Sequence, residues 1–483
     1  MTYRDPMPLW ETTLASMDRI DRFRILVVLA ITLAIRAAIT FWNFDSFSAD
    51  PDAYRALAQT LSETGVYGLP DPQGQGRATA FRPPLYPYLL SWFSPGGELS
   101  RLAVALLHLV LATITVWLTM LTCGRLIDRG RMGPATMAAG LLVAIDPILT
   151  QQSTQIMTET LATTIAIAII WWWARSADLP SSDNQSPNPP ARLPATWPIV
   201  LGLLLALAYL CRPTFLVWAV WLTFASYFVC RDARLRQRTR LRRIARALVV
   251  GTIVAIAVVA WTLRNQHAIG HPVWATSHGG YTLLLANNPS FYDYLQNGSW
   301  GDAWDAQPFL NAYAHRYDGD PQTADFWNQD WPSQRNINNA QHDASTDQRE
   351  PVTEHDDDQR AYLAARATID RQRGMFLWSC LVRVGRLWSP LPHHTSGRSW
   401  TPILVVGLFY TLVYLAAVAT LWRLGREAFS RKWWAIWTLA LTLSAVHAVY
   451  WSNLRMRAPI VPAIAILAAG ILPHDRRISG RSS

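Results

Sequence analysis

Residues 24–54 read RILVVLAITLAIRAAITFWNFDSFSADPDAY, an apolar run that ends in Phe41-Trp42 and passes directly into an acidic loop. A run of this length is enough to cross a hydrocarbon core about 30 Å thick. Asp50 and Asp52 therefore leave the bilayer where the span ends, and carboxylates held near a membrane are costly unless they are paired or used. Arg19, Arg22 and Arg24 precede the run as they would in a signal peptide. The run is too long for one, and its far end (Ala-Ile-Thr-Phe-Trp) is a poor cleavage site, so the pattern predicts an uncleaved anchor.

The same alternation continues along the 483 residues, of which 51% are hydrophobic and 16% charged; a soluble domain carries about 25% charged residues. Apolar runs lie near 24–42, 101–122, 133–150, 156–174, 197–211, 214–230, 247–263, 401–422, 433–451 and 457–472. The expected fold is an all-α polytopic membrane protein with about ten transmembrane helices. Its parts are an N-terminal transmembrane module (1–263) whose first external loop (43–100) carries short interfacial helices, a partly irregular external insert (264–400), and C-terminal helices with a short basic tail (401–483).

Charge sets the orientation. Residues 231–246 contain eight arginines and one acid, whereas 293–370 hold fifteen acids and five arginines. The positive-inside rule then places both termini in the cytoplasm, and the 43–100 loop, the 150–156 loop and the insert outside the cytoplasmic membrane. This segregation accounts for the net charge of +10, in which Lys432 is the sole lysine, without a nucleic-acid partner. Cys123, Cys211, Cys230 and Cys380 show no paired spacing, so neither a disulfide framework nor a zinc site is indicated. Residues 180–194 form a Pro/Ser/Asn linker and 318–358 a polar loop. From 359 to 378, Tyr362, Leu363, Ile369 and Phe376 regain helical spacing, which fits an amphipathic helix on the outer membrane surface.

Four groups of residues could carry chemistry. In DPDAYRALAQTL, Tyr54, Leu57, Ala58 and Leu61 repeat at helical spacing, so Asp50 or Asp52 stands at a helix start. There a carboxylate can cap backbone N–H groups, or accept a proton from an attacking hydroxyl or amine as a general base. In FRPPLYP, two prolines fix the backbone after Arg82, whose fork suits either lipid phosphate or a phosphate leaving group. In DPILTQQSTQIMTE, Asp146 and Glu159 turn between two spans, where either can pair with an arginine such as Arg212 or Arg264. Arg264-Asn265, followed by GHPVWATSHGG, and Arg455-Met456-Arg457 lie at outer span ends, a ring of arginines suited to an anionic membrane ligand or to interface snorkelling. No His, Asp and Glu cluster has metal-ligand spacing. The histidines His315, His342, His355, His393 and His394 fit a loop surface, and the run Asp356-Asp357-Asp358 fits solvation or calcium.

In order, these elements resemble the GT-C superfamily of integral membrane glycosyltransferases, in the branch of bacterial relatives of protein O-mannosyltransferases and the lipid A aminoarabinose transferase. The motifs are D-x-x-x-Y-x-x-x-A from Asp50, R-P-P-L-Y-P from Arg82, I-M-T-E ending at Glu159, R-P at Arg212, R-N followed by G-x-P-V, G-G and N-N-P, and R-x-R-x-P-x-x-P from Arg455. The resemblance implies inverting transfer of a sugar from a polyprenyl-phosphate donor to a lipid, glycan or protein acceptor. By it, Asp50 is the base, with Asp52 the alternative, and Arg82 clamps the phosphate. Tyr54 and Tyr86 shape the donor pocket; Glu159, Arg264, Arg455 and Arg457 are further substrate contacts. No cofactor is implied, although some relatives use a divalent metal. A polyprenyl-carrier-dependent polysaccharide ligase or polymerase, a lipid-carrier flippase and a noncatalytic assembly subunit are the alternatives. The first two leave the loop from Asp50 to Tyr86, or the clustering of charge at span ends, without a role.

Overall fold

The computed structural model describes residues 19–71, 73–128, 132–178, 194–229, 236–298, 303–317, 325–328, 352–393 and 399–473. The 180–193 linker, most of the polar 318–351 stretch, Cys230, His342 and His394 lie outside them. Helix α1 (Arg19–Trp42) leads into the 43–100 segment. That segment folds as α2 (Tyr54–Thr64), an antiparallel hairpin of β1 (Gly68–Pro70) and β2 (Gly76–Ala78), and α3 (Leu85–Ser91). There follow α4 (Arg101–Leu126), α5 (Pro134–Ile145), the short α6 (Pro147–Gln152), α7 (Glu159–Ala174), α8 (Trp197–Cys211), α9 (Phe215–Ser226) and the long α10 (Arg236–Ile269). The insert holds α11 (Gly279–Ala286), α12 (Pro289–Asn297), α13 (Gln307–Ala314), α14 (Glu354–Arg371) and α15 (Arg373–Trp388). The chain continues through α16 (Trp400–Leu424), α17 (Trp434–Val449), a 3-10 segment Leu454–Ile460 and α18 (Val461–Ala469).

Every one of the ten apolar stretches carries a helix. Four stretches, Arg19–Trp42, Arg101–Leu126, Arg240–Ile269 and Trp400–Phe429, are long and apolar enough to cross a membrane. Helix α7 is apolar on all sides and almost wholly buried, as expected for the centre of a bundle. It is tied to α4 by the Thr115 and Thr164 hydroxyls at 2.9 Å. The indole N–H of Trp172 donates to Trp197 O at 3.0 Å and that of Trp197 to Trp172 O at 3.3 Å, joining α7 to α8. The outside of the bundle is apolar: Leu404, Leu408, Leu412 and Leu415 on α16 and Leu248, Ile256 and Leu263 on α10 are exposed. A continuous apolar face of this extent needs hydrocarbon around it.

Two local expectations change. The all-α reading misses the hairpin, whose pairs Gly68↔Ala78, Leu69↔Arg77 and Pro70↔Gly76 are too short to leave any period in the sequence. The single amphipathic helix over 359–378 is instead the end of α14 and the start of α15, broken at Gln372. Helix α14 lies inside the insert, with Asp358, Ala361, Ala365 and Thr368 buried, and it packs against α11. Gly279 and Gly280 permit this approach, since a Cβ on either would overlap Tyr362 or Asp358. Leu363 on α14 and Leu377, Trp378 and Leu381 on α15 remain exposed.

The acidic run at the start of α14 is also explained. The Asp356 N–H donates to the Thr353 hydroxyl at 3.2 Å, forming the helix cap. Asp357 accepts both arms of Arg316 at 2.9 Å, and Asp358 accepts the Gly280 N–H at 2.6 Å. Burial raises the Asp357 carboxyl, but its bonds to Arg316 and Tyr317 outweigh that and hold it below the usual range. Burial, together with the neighbouring Asp357 and Glu354 charges, outweighs its backbone N–H donors and pushes Asp358 up to about 6.

Candidate functional site

The 43–100 segment sets Asp50 and Asp52 in different directions. The Asp50 carboxylate folds onto the start of α2, accepting the N–H of Arg55 at 3.0 Å and of Ala56 at 2.9 Å. Between Asp52 and Tyr54 the chain turns through Ala53 at φ 59°, the one non-glycine residue with positive φ among those described. Left-handed backbone is strained for alanine and is held only where surrounding contacts over-determine it. Here it directs Asp52 away from the helix and toward Arg82.

Arg82 donates through Nη2 to Asp52 Oδ1 at 2.7 Å and through Nε to the Asp52 carbonyl at 2.9 Å. Its guanidinium lies over the rings of Phe81 (4.4 Å) and Tyr54 (5.7 Å). The other Asp52 oxygen is 3.8 Å from Arg455. Arg455 is in turn 3.7 Å from Glu159 Oε1, and that same oxygen is 3.6 Å from Arg212. A continuous series Arg82–Asp52–Arg455–Glu159–Arg212 results, drawn from the 43–100 segment, the 3-10 segment, the start of α7 and the C-cap of α8. Glu159 is 1% exposed, and its second oxygen has no hydrogen-bond partner among the described residues.

Three guanidiniums therefore face two carboxylates at the ends of apolar helices, in a half-buried series in which Glu159 is fully buried. An excess of positive charge, in a site that limits water, favours an anion with several acceptor oxygens, a phosphate above all. Tyr54 packs edge-on against Tyr86 at 5.4 Å, beside this series. Burial pushes the Tyr54 hydroxyl up to about 12 against the pull of Arg82, so it keeps its proton. Burial lowers His278, which packs edge-on against Phe81 at 4.7 Å and is further lowered by Arg82.

Of the residues singled out in the sequence, Asp52, Arg82, Glu159 and Arg455 meet in one place, with Tyr54 beside them. Arg212, considered only as a partner for an acid, takes that part with Glu159. Arg264 and Arg457 stand apart. Arg264 donates to Tyr67 O and Thr79 O, each at 2.6 Å, and lies over Trp261 at 5.3 Å, which fastens the hairpin to α10. The Tyr67 hydroxyl then donates to Arg82 O at 2.9 Å, so Arg264 acts on the Arg82 loop from a distance. Arg457 is fully buried, donates to Leu387 O at 3.3 Å and lies 4.1 Å over the ring of Tyr410. Asp146 accepts from Tyr410 and has no part in the charged series. His108, Ser153 and Tyr410 gave no signal in the sequence beyond being polar residues within or between apolar runs.

The sequence matches no family model and no curated protein. Similar solved structures include the archaeal oligosaccharyltransferase AglB from Archaeoglobus fulgidus in complex with an inhibitory peptide and a dolichol-phosphate. It is 15% identical, with 94% of this chain and 50% of that one covered and a TM-score of 0.48. ArnT from Cupriavidus metallidurans bound to undecaprenyl phosphate is 13% identical, with 89% and 77% covered and a TM-score of 0.37. The chain spans about half the length of the archaeal enzyme. Both neighbours are GT-C glycosyltransferases.

Proposed function

We propose that this chain is an integral membrane glycosyltransferase. It moves a sugar from a polyprenyl-phosphate donor to a lipid, glycan or protein acceptor at the outer face of the cytoplasmic membrane. The observation that carries the reading is the charged series: Arg82, Arg455 and Arg212 converge at helix ends, where the phosphate of a lipid embedded in the bilayer would arrive. Glu159 and Asp52 hold the guanidiniums in place, and the N-terminus of α7 adds its partial positive charge.

In this reading the acceptor hydroxyl or amine attacks the anomeric carbon from the face opposite the phosphate. Asp50 takes the acceptor proton, the bond from the anomeric carbon to the phosphate oxygen breaks, and polyprenyl phosphate departs with inversion. The two α2 N–H groups hold the Asp50 carboxylate in place and leave its remaining lone pairs for the proton. Asp52, held between Arg82 and Arg455, orders the phosphate site. The arginines supply the positive charge, and turnover is expected to persist in a divalent-cation chelator.

The test compares wild type, Asp50→Asn and Asp52→Asn in membranes, following release of polyprenyl phosphate from a panel of polyprenyl-phosphate sugars with cell-envelope extract as acceptor. Asp50→Asn is expected to lose at least about 100-fold in turnover with normal donor binding, within the usual range for a missing acid–base group. Asp52→Asn weakens the 2.7 Å charge-assisted bond that positions Arg82 and is therefore expected to weaken donor binding. Equal turnover in all three proteins would remove Asp50 from the mechanism.

A further inference from the structure

Next to the charged series runs a second set of buried polar side chains that the transfer chemistry does not use. Its centre is α6. At one end the N-cap Asp146 accepts the Leu149 N–H at 2.9 Å, and the Tyr410 hydroxyl lies 3.0 and 3.1 Å from its two oxygens. At the other end the Ser153 carbonyl is 2.9 Å from His108 Nδ1. A carbonyl only accepts, so Nδ1 carries the proton and neutral Nε2 accepts from the Tyr86 hydroxyl at 2.7 Å. Arg36 links α5 to the end of α6, donating to Val143 O at 2.8 Å and to Ser153 Oγ at 3.4 Å. Arg36, Tyr86, His108, Asp146, Ser153 and Tyr410 are all buried.

Two arms leave this centre. One passes from His108 through Tyr86 to the edge of Tyr54, and so to the turn that carries Asp52. The other passes through Tyr410 to Arg457, two residues beyond Arg455 in the same 3-10 segment. Both sides of the 3.8 Å contact between Asp52 and Arg455 thus rest on one buried span. In hydrocarbon surroundings no water replaces a lost partner, so such a network holds or gives way as a unit.

We infer that His108 is a positioning residue. With Tyr86, Ser153, Asp146 and Tyr410 it forms an arch that fixes the Asp52–Arg82 turn against the Arg455 segment. Its catalytic consequence rests on the proposed transfer reaction; its mechanical consequence does not. A displacement of the order of 1 Å at a reacting site costs about 100-fold in rate, whereas binding of the lipid phosphate by three guanidiniums tolerates it better.

The experiment uses full-length protein in lipid nanodiscs, as wild type, His108→Ala, Tyr86→Phe, the double variant and Tyr410→Phe. Turnover is expected to fall about 10–100-fold in His108→Ala while the donor KM moves less than about 3-fold. The double variant should be no worse than the worse single one, because the two residues share one hydrogen bond. His108→Gln, which can still donate to Ser153, should recover part of the loss. Tyr86→Phe removes a single oxygen and stands in if His108→Ala does not fold.

Hydrogen exchange gives a second readout that needs no turnover. Exchange at residues 53–58 and 454–460 should rise together in His108→Ala and in Tyr410→Phe. Loosening confined to the segment next to each substitution, or additive effects of His108→Ala and Tyr86→Phe on turnover, would overturn the arch. If wild type transfers no sugar, the transfer reading fails and the exchange comparison still decides the arch.

Discussion

Glu159→Gln should loosen the protein and at the same time tighten its hold on a lipid phosphate. Glu159 Oε1 stands 3.6 Å from Arg212 and 3.7 Å from Arg455, too far for charge-assisted hydrogen bonds, which run about 2.7–2.9 Å. The attraction is therefore mainly through space. At an effective dielectric of about 20, unit charges at this separation attract by about 4–5 kcal/mol. The cost of holding a carboxylate out of water offsets several kcal/mol of it. The Arg455 side chain is 32% exposed, so its share is partly screened. A net loss of about 1–3 kcal/mol of stability follows.

The same change leaves three guanidiniums facing one carboxylate, so an incoming phosphate meets less competition. The dissociation constant for polyprenyl phosphate is expected to fall about 5–50-fold, equivalent to about 1–2.3 kcal/mol. Thermal unfolding in nanodiscs, with polyprenyl phosphate titrated in, measures both effects. The variant should begin less stable and gain more from the ligand, since stabilisation grows as RT ln(1 + [L]/Kd). Tighter product binding should also slow release and lower kcat. A folded Glu159→Gln protein with unchanged or weaker affinity would refute the assignment of these arginines to phosphate.

Two further outcomes separate structural from binding roles. Arg264→Met loses two 2.6 Å bonds to carbonyls, so proteolysis in the β1–β2 hairpin should rise, with about 1–3 kcal/mol of stability lost; its donor KM should rise less than that of Arg82→Met, and the reverse order would place Arg264 in the phosphate site. Burial holds Asp358 protonated up to about pH 6, where an unfolded aspartate has already ionised near 3.9. Its contribution to stability therefore falls as pH rises from about 4 to 6, and Glu354, also raised by burial, adds the same sign. Asp358→Asn should flatten this part of a melting-temperature profile between pH 4.5 and 7. A profile as steep as that of wild type would show that the pair of helices α11 and α14 does not feel this charge.

The sequence by itself showed that each apolar run is helical, because the length and composition of a run are local properties. It also marked Asp50, Asp52, Arg82, Glu159 and Arg455, because a charged residue at the end of such a run is unusual whatever surrounds it. It did not show which charges meet. Glu159 and Arg455 are separated by nearly three hundred residues, and no spacing rule links them. Arg264 and Arg457 look the same as Arg455 in sequence, an arginine at a span end, yet their hydrogen bonds run mainly to main-chain carbonyls. Only the packing of α7, α8 and the 3-10 segment around the 43–100 loop decides between these fates. The arch through His108 was hidden for the same reason, since each of its side chains is an ordinary polar residue until the bundle buries it and leaves a neighbour as its hydrogen-bond partner.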